Sequence, residues 1–384
     1  MSIEFFFARP VNEVTGRRDQ GGFTLTELLV GVVIGLIGIA AMFQVLTLWD
    51  KTKRSTAAGG DAQVVGTVGY FRLERDVKQA GMGLGLAAAP ISGCSVAAAA
   101  NATATTAART FTFPLVPVRI VQGDSGAPDT LQVLYGNSSF FSASQAYVGS
   151  TAFTKKMKWR NDGFRVYRNA AGVVERGDLV IVADVTPTCS LIEVSNDPDI
   201  DGWFQHSAGL RFNSALGTVA ALAEGSLFNL GPQPQLNLWT VNNGSLVVTD
   251  GLYRNTTATV ADGIIDLQAE YGLDTNGDFV VDTWQTADPS NWRQVLAIRV
   301  ALLARSQHYE APRQLSDGST AYATSTAPSL PWTDGTGQAL HFAMHDVDGA
   351  ADTNPQTDAN WRNYRYRVYG GVISLRNMIW GVAP

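Results

Sequence analysis

"GGFTLTELLVGVVIGLIGIAAMF", residues 21–43, is the stretch on which the reading of this chain turns. From Phe23 to Trp49 the only formal charge is Glu27, and Leu28 to Phe43 carries none. At about 1.5 Å of rise per residue, a helix over this run reaches roughly 40 Å, beyond the ~30 Å of a hydrocarbon core. Backbone amides in lipid must bond within their own segment, so the run is expected to be helical. It is too long for the apolar core of a secretory signal, and the charged "WDKTKR" that follows does not suit a cleavage region. A plain membrane anchor explains the length but not the acid, which costs about 2.5–3.5 kcal/mol near a bilayer centre and less near its edge. Nor does it explain the glycine pair before Phe23.

Glycine pair, phenylalanine and a glutamate four residues on together resemble the class III signal of type IV prepilins and pseudopilins. The resemblance implies cleavage between Gly22 and Phe23 by a prepilin peptidase on the cytoplasmic side, with N-methylation of Phe23. Residues 1–22 would then be a leader peptide. Its three acids and three bases cancel, so the processed chain keeps a net charge near −6. The same resemblance gives Glu27 an assembly role, pairing with the terminal amine of a neighbouring subunit. A paired carboxylate in an apolar bundle costs far less than a lone one. Thr26 stands where an aliphatic residue is commoner in that family, and Gln44 where major pilins often carry a kinking proline.

Beyond Trp49 no proline interrupts the chain before Pro90. Val64, Val68, Phe71 and Val77 fall on roughly one helical face, Asp61 is a candidate N-cap, and the glycines from Gly81 to Gly85 are candidate stops. The spacing predicts one long helix, or two segments hinged near Gly59 and Gly60. "RLERDVKQAG", residues 72–81, is similar to a segment of PilW-type minor pilins and of J-type pseudopilins. Residues 92–110 are low in complexity and read as a surface loop. Short β-like runs follow, among them "TLQVLYG", "DLVIVADV", "SLIEVS", "GSLVVTDGLYR", "IIDLQAEYGLD", "VLAIRVALLARS" and "YRYRVYGGVISLRN". Asn243-Gly244 is a hairpin signal. "WRQVLAIRVALLARS" and "YRYRVYGGVISLRN" resemble sheet strands of PilW-like proteins. The expected fold is α+β and type IV pilin-like: a long N-terminal helix, transmembrane then amphipathic, packed on an antiparallel β-sheet head with long loops. The expected divisions are leader 1–22, transmembrane and assembly helix 23–49, amphipathic helix and its end 50–89, and a periplasmic or extracellular head 90–384.

"YGLDTNGDFVVDTW" sets Asp274, Asn276, Asp278 and Asp282 at alternating positions, with the carbonyl of Val280 among them. Oxygens at such spacing suit calcium, which takes six to eight at about 2.3–2.6 Å. The loop is not an EF-hand: Phe279 stands where the invariant glycine belongs and Gln285 where a bidentate glutamate does. The competing reading is a solvated turn, since turns favour the same residues. Asp197, Asp199 and Asp201 form a weaker acidic set, and Asp346, Asp348 and Asp352 a weaker one still. Cys94 and Cys189 are the two cysteines. In an oxidising compartment they can bond, adding roughly 4–5 kcal/mol in the chain-entropy model. Two separate buried thiols are the alternative.

Several classes find no support. Acidic balance, with pI about 5.3, argues against a nucleic-acid partner. Asp124-Ser125-Gly126 looks like a protease nucleophile segment, but all four histidines lie downstream of it. His341 and His345 lack the glutamate of a zinc metalloprotease helix. No phosphate-binding loop follows a strand, and no catalytic set assembles, so an enzyme is not expected. The resemblance implies a minor pilin that joins other minor pilins to prime type IV pilus assembly and sits at or near the tip. Its expected partners are those pilins, the major pilin, prepilin peptidase and a tip adhesin. The expected location is the inner membrane, single pass, then the pilus at the cell surface. A J-type minor pseudopilin of type II secretion, or a tip adhesin or sugar-binding module using Trp159, Trp203, Trp239, Trp284 or Trp361, are the alternatives.

Overall fold

The computed structural model describes residues 22, 24–84, 91–104, 106–138, 145–148, 156–159, 167–168, 174–184, 189–195, 204–206, 209–213, 224–253, 256–345 and 360–379. Two compact units emerge, Met1–Arg54 and Ser55–Pro384. Helix α1 (Leu25–Gln79) contributes to both. Leader residues 1–21, Phe23 and the acidic sets at Asp197–Asp201 and Asp346–Asp352 lie outside the described residues.

In the first unit, Leu25–Asp50 has a mean hydropathy of 2.5 and none of it is buried. By length and composition it can cross a membrane. The helix is unbroken at Gln44, whose carbonyl also accepts the Thr47 hydroxyl at 2.9 Å. It also runs unbroken through Gly59 and Gly60, which is the single long helix and not the hinged alternative, and Asp61 lies inside the helix instead of capping a second one. Intrahelical bonding on both sides overrides the propensity cost of the two glycines, about 1 kcal/mol each.

In the second unit, the last turns of α1 pack on the head with a face that shares only Val77 with the one the sequence suggests. Ala62, Leu73, Val77 and Ala80 are buried, whereas Val64, Val68 and Phe71 are 65%, 44% and 60% exposed. The buried stripe runs through Gly66 and Gly69. The Tyr369 ring occupies the space a side chain at Gly66 would need, and Leu246 and Ala261 lie 3.4 and 3.5 Å from a Cβ at Gly69. Small residues let the helix backbone lie close to the sheet, and that approach outweighs burying the larger side chains on the opposite face. The helix ends at Gln79, and Gly81 and Gly83 take φ values of +80° and +81° that L-residues disfavour.

Among the described residues the head has three larger sheets and three two-stranded ones. An all-antiparallel four-stranded sheet sets Ile264–Leu273 and Val295–Arg305 at its centre, with Thr283–Gln285 and Tyr366–Ser374 at its edges. An antiparallel five-stranded sheet orders Thr257–Asp262, Ser245–Asp250, Gln235–Asn242, Thr130–Tyr135 and Val118–Val121. Asn243 and Gly244, at φ +48° and +73°, form the two-residue turn of its central hairpin. One core cluster spans Leu73, Val77, Leu131, Leu246, Tyr271 and Ile298. An eight-stranded sheet holds Leu179–Asp184 and Cys189–Glu193 and departs from antiparallel pairing once: Ser95–Ala100 runs parallel to Cys189–Glu193. Residues 92–110 are therefore not simply a loop. Val96, Ala98, Ala99 and Ala100 are buried in a strand paired with Arg109–Pro114. Alanine has weak strand propensity, and packing on two neighbours decides the outcome.

Candidate assembly elements

The start of α1 is set by its own side chains. Thr24 precedes the helix, and its backbone N–H donates to Glu27 Oε2 at 3.0 Å. The Thr24 hydroxyl donates to the same oxygen at 3.0 Å, and the Glu27 N–H donates back to Thr24 Oγ1 at 3.3 Å. This is a capping box, T-x-x-E, which satisfies helix donors reciprocally. Thr24 is a residue that reading Glu27 only as a partner for an amine passed over. The signal was in the sequence: a threonine three residues before an acid, at the head of an apolar run. Both bonds converge on Oε2. Among the described residues nothing is bonded to Oε1, which is free to meet a cation while the cap stays closed.

The end of α1 is held as firmly. Asp76 is 8% exposed and lies among three donors from the five-stranded sheet. Tyr135 donates its hydroxyl at 2.7 Å, Trp239 its indole N–H at 2.6 Å, and Asn237 its amide to both carboxylate oxygens at 3.0 Å. Burial, and then the adjoining Asp76 carboxylate, push the Tyr135 phenol up, so it stays a donor at neutral pH. The Asn377 amide donates to the carbonyls of Gln79 and Ala80 at 3.2 and 2.9 Å, closing two of the orphan acceptors at the helix C-terminus. "RLERDVKQAG" and "YRYRVYGGVISLRN" thus meet in space through Asn377, while Asp76 ties the first of them to the five-stranded sheet.

The 274–282 loop is closed on itself. Asp274 accepts the N–H of Gly277 at 2.6 Å and of Phe279 at 2.9 Å, and Asp278 accepts that of Val280 at 2.8 Å. Asp282 accepts the Thr275 N–H and hydroxyl at 2.7 and 2.8 Å, and these bonds hold its carboxyl below the usual range. The Asn276 amide nitrogen stands between Asp278 and Asp282, 3.3 and 3.2 Å from their oxygens. Phe279 does take the left-handed φ, +65°, that a glycine holds more easily. Among the described residues no three His, Cys, Asp or Glu side chains converge as a metal set. For an ion to use this loop, Asn276 must first rotate its nitrogen out from between the two carboxylates.

Cys94 and Cys189 are joined by a disulfide, with Cα atoms 6.2 Å apart. It lies where the parallel strand pair begins, Val96 opposite Cys189.

Two comparisons bear on what these elements make. Residues 17–43 match the prokaryotic N-terminal methylation motif. Residues 231–377 match the family model of type IV pilus-assembly protein W. That second match takes in the central hairpin, the four-stranded sheet and Asn377. No curated protein and no solved structure matches the chain. An apolar N-terminal helix leading to a head of mainly antiparallel sheets is a pilin-like α+β fold. With a methylation signal at the helix start and a pilus-assembly segment reaching the helix end, the two matches support a PilW-like type IV pilin with a prepilin signal.

Proposed function

We propose that this pilin joins other minor pilins in the inner membrane, primes assembly of the fibre, and ends at or near its tip. The leader 1–22 is removed between Gly22 and Phe23, residues 23–49 lie in the bilayer, and residues 90–384 form the exported head. The observation that carries the reading is Glu27: a carboxylate fixed at the start of an exposed apolar helix, with one oxygen unbonded among the described residues. A methylated Phe23 amine on a neighbour supplies the cation this oxygen lacks, and pairing removes most of the cost of an acid among apolar side chains. The outward stripe Val64, Val68 and Phe71 extends the apolar surface available to neighbouring helices beyond the membrane segment. A head with three larger sheets on one helix suits an end position, where no further subunit stacks above it.

Mass spectrometry of the chain from membranes with and without prepilin peptidase tests the processing step. A methylated Phe23 terminus only when the peptidase is present is the expected result; an intact leader in both strains overturns it. The assembly step is tested with Glu27→Gln, which retains an acceptor for Thr24 but loses the charge. Cross-linking to neighbouring pilins is expected to fall about tenfold, and unchanged cross-linking removes the role. We also propose the 274–282 loop as a calcium site, on its alternating oxygens alone. Calorimetric titration of the detergent-solubilised chain decides it: heat that disappears in Asp278→Ala supports the site, and equal or absent heat in both removes it.

A further inference from the structure

A cleft of about 300 Å³ opens in the head where the Arg109–Pro114 strand, the Val118–Val121 strand and the segment before Val295 come together. Trp292, Arg119, Asp288, Gly93, Ser95 and Thr112 line it. Trp239 and Trp284 are already engaged, the first with Asp76 and the second against the Arg299 guanidinium at 4.9 Å. Trp292 is half-buried and lines open space. Its ring is held from below by Tyr271, edge-on at 5.5 Å. Beside the pyrrole edge of the indole Gly93, at φ +89°, leaves room that a Cβ would remove, since that atom would lie 2.7 Å from Trp292. Gly93 is fixed in turn: its N–H donates to Leu115, the Leu115 N–H donates to Cys94, and Cys94 is tied by the disulfide.

The polar wall is equally fixed. Asp288 Oδ1 accepts the hydroxyl of the fully buried Tyr271 at 3.1 Å. Asp288 Oδ2 accepts Arg119 Nε at 3.3 Å and Nη2 at 3.2 Å. Both side chains remain about 40% exposed, so the pair has lone pairs and N–H groups left for a ligand. Its net charge is zero, which gives no net attraction to an anion or a cation. A planar carboxylate beside a planar guanidinium accepts from one hydroxyl and donates to the next, which is the pattern of two vicinal hydroxyls. An aromatic face next to such a pair adds an apolar surface for ring C–H groups. Ser95 and Thr112, exposed residues of the lining, stand at the rim.

We propose that this cleft binds a neutral sugar ring, stacked on Trp292 with vicinal hydroxyls on Arg119 and Asp288. The cleft is composite. Trp292 and Asp288 belong to the segment matching the pilus-assembly family, whereas Gly93, Ser95, Thr112 and Arg119 precede it. Its selectivity is therefore a property of this chain's own head. Nothing in the argument depends on where in a fibre the subunit sits, so the proposal stands apart from the assembly role.

The test uses the full chain in a sugar-free detergent. Glucose, galactose, mannose and N-acetylglucosamine are titrated at millimolar concentrations, followed by tryptophan fluorescence and ligand-observed NMR. At least one is expected to bind, with affinity falling about tenfold or more in Trp292→Ala and in Asp288→Asn. Circular dichroism checks that each variant is folded. Thr112→Arg, at the exposed rim, blocks the mouth without touching Trp292 or Tyr271 and is expected to abolish binding as well. No binding by any neutral sugar, binding unchanged in all three variants, or preference for N-acetylneuraminate over the neutral sugars would each overturn the proposal.

Discussion

Asp76 shows how one side chain fixes an element. Its carboxylate takes bonds from Tyr135, Asn237 and Trp239, which come from two neighbouring strands of one sheet. Asp76→Ala leaves an indole N–H, a phenol and an amide facing a void. A loss of about 3 kcal/mol is expected, measured as a lower denaturation midpoint of the full chain in detergent. Asp76→Asn keeps the shape but turns one acceptor into a donor facing donors, so it is expected to lie between the two. A midpoint unchanged in Asp76→Ala would show that the apolar face alone seats the helix. Glu27 differs in kind. Its bonds are local and exposed, so its loss is expected to show in assembly and leave head stability untouched.

Elements were legible in the sequence to different degrees, and the differences have physical causes. The strands around Thr130, Ile264, Val295 and Tyr366 are apolar runs long enough to bury on one or both faces, and they form within about three residues of where their composition sets them. The apolar helix was legible because lipid admits few alternatives. Its docked face was not, because Val64, Val68 and Phe71 carry more hydrophobicity than Gly66 and Gly69, and close approach is decided by the partner Tyr369, far along the chain. The Ser95–Ala100 strand was hidden for a related reason: alanines become strand only when neighbours are present, and here the neighbours are Arg109–Pro114 and Cys189–Glu193. The disulfide at that pairing closes a loop of 95 residues. Cys94→Ser with Cys189→Ser is expected to lower stability by about 4–5 kcal/mol, read by chemical denaturation without reductant. A change below about 1 kcal/mol would mean that the sheet holds the pairing unaided. The sugar cleft had no sequence signature, since its walls come from three separated segments.

At the scale of the whole head, three buried carboxylates act together. Burial pushes Asp129, Asp178 and Asp266 up to about 6 each, with Glu270 adding to the effect at Asp129 and Asp129 adding to it at Asp266. Asn229 donates to Asp178, Gln268 to Asp266, and the N–H groups of Gly123 and Ala269 to Asp129, which limits the rise without cancelling it. The folded chain therefore holds protons that the unfolded chain releases near pH 4. Stability from these groups is complete below that value and is lost as pH rises through about 6, at most roughly 3 kcal/mol per group. The thermal midpoint is expected to be higher near about pH 5 than near about pH 8. Asp178→Asn, whose carboxamide oxygen still accepts from Asn229, is expected to flatten part of that slope. A midpoint rising steadily to about pH 8 would contradict the assignment.

The Tyr369 hydroxyl reaches the Gln63 carbonyl across 306 residues, and Asn377 closes the helix end across nearly as many. A ribosome makes the helix early and both ends of its seat last. Leu246, Ala261 and Trp239 come earlier and meet the stripe at Gly69 and Asp76, whereas Gly66 waits for Tyr369 and the Gln79 and Ala80 carbonyls wait for Asn377. A chain cut short of residue 369 therefore still has a middle anchor for its helix but leaves both flanks loose.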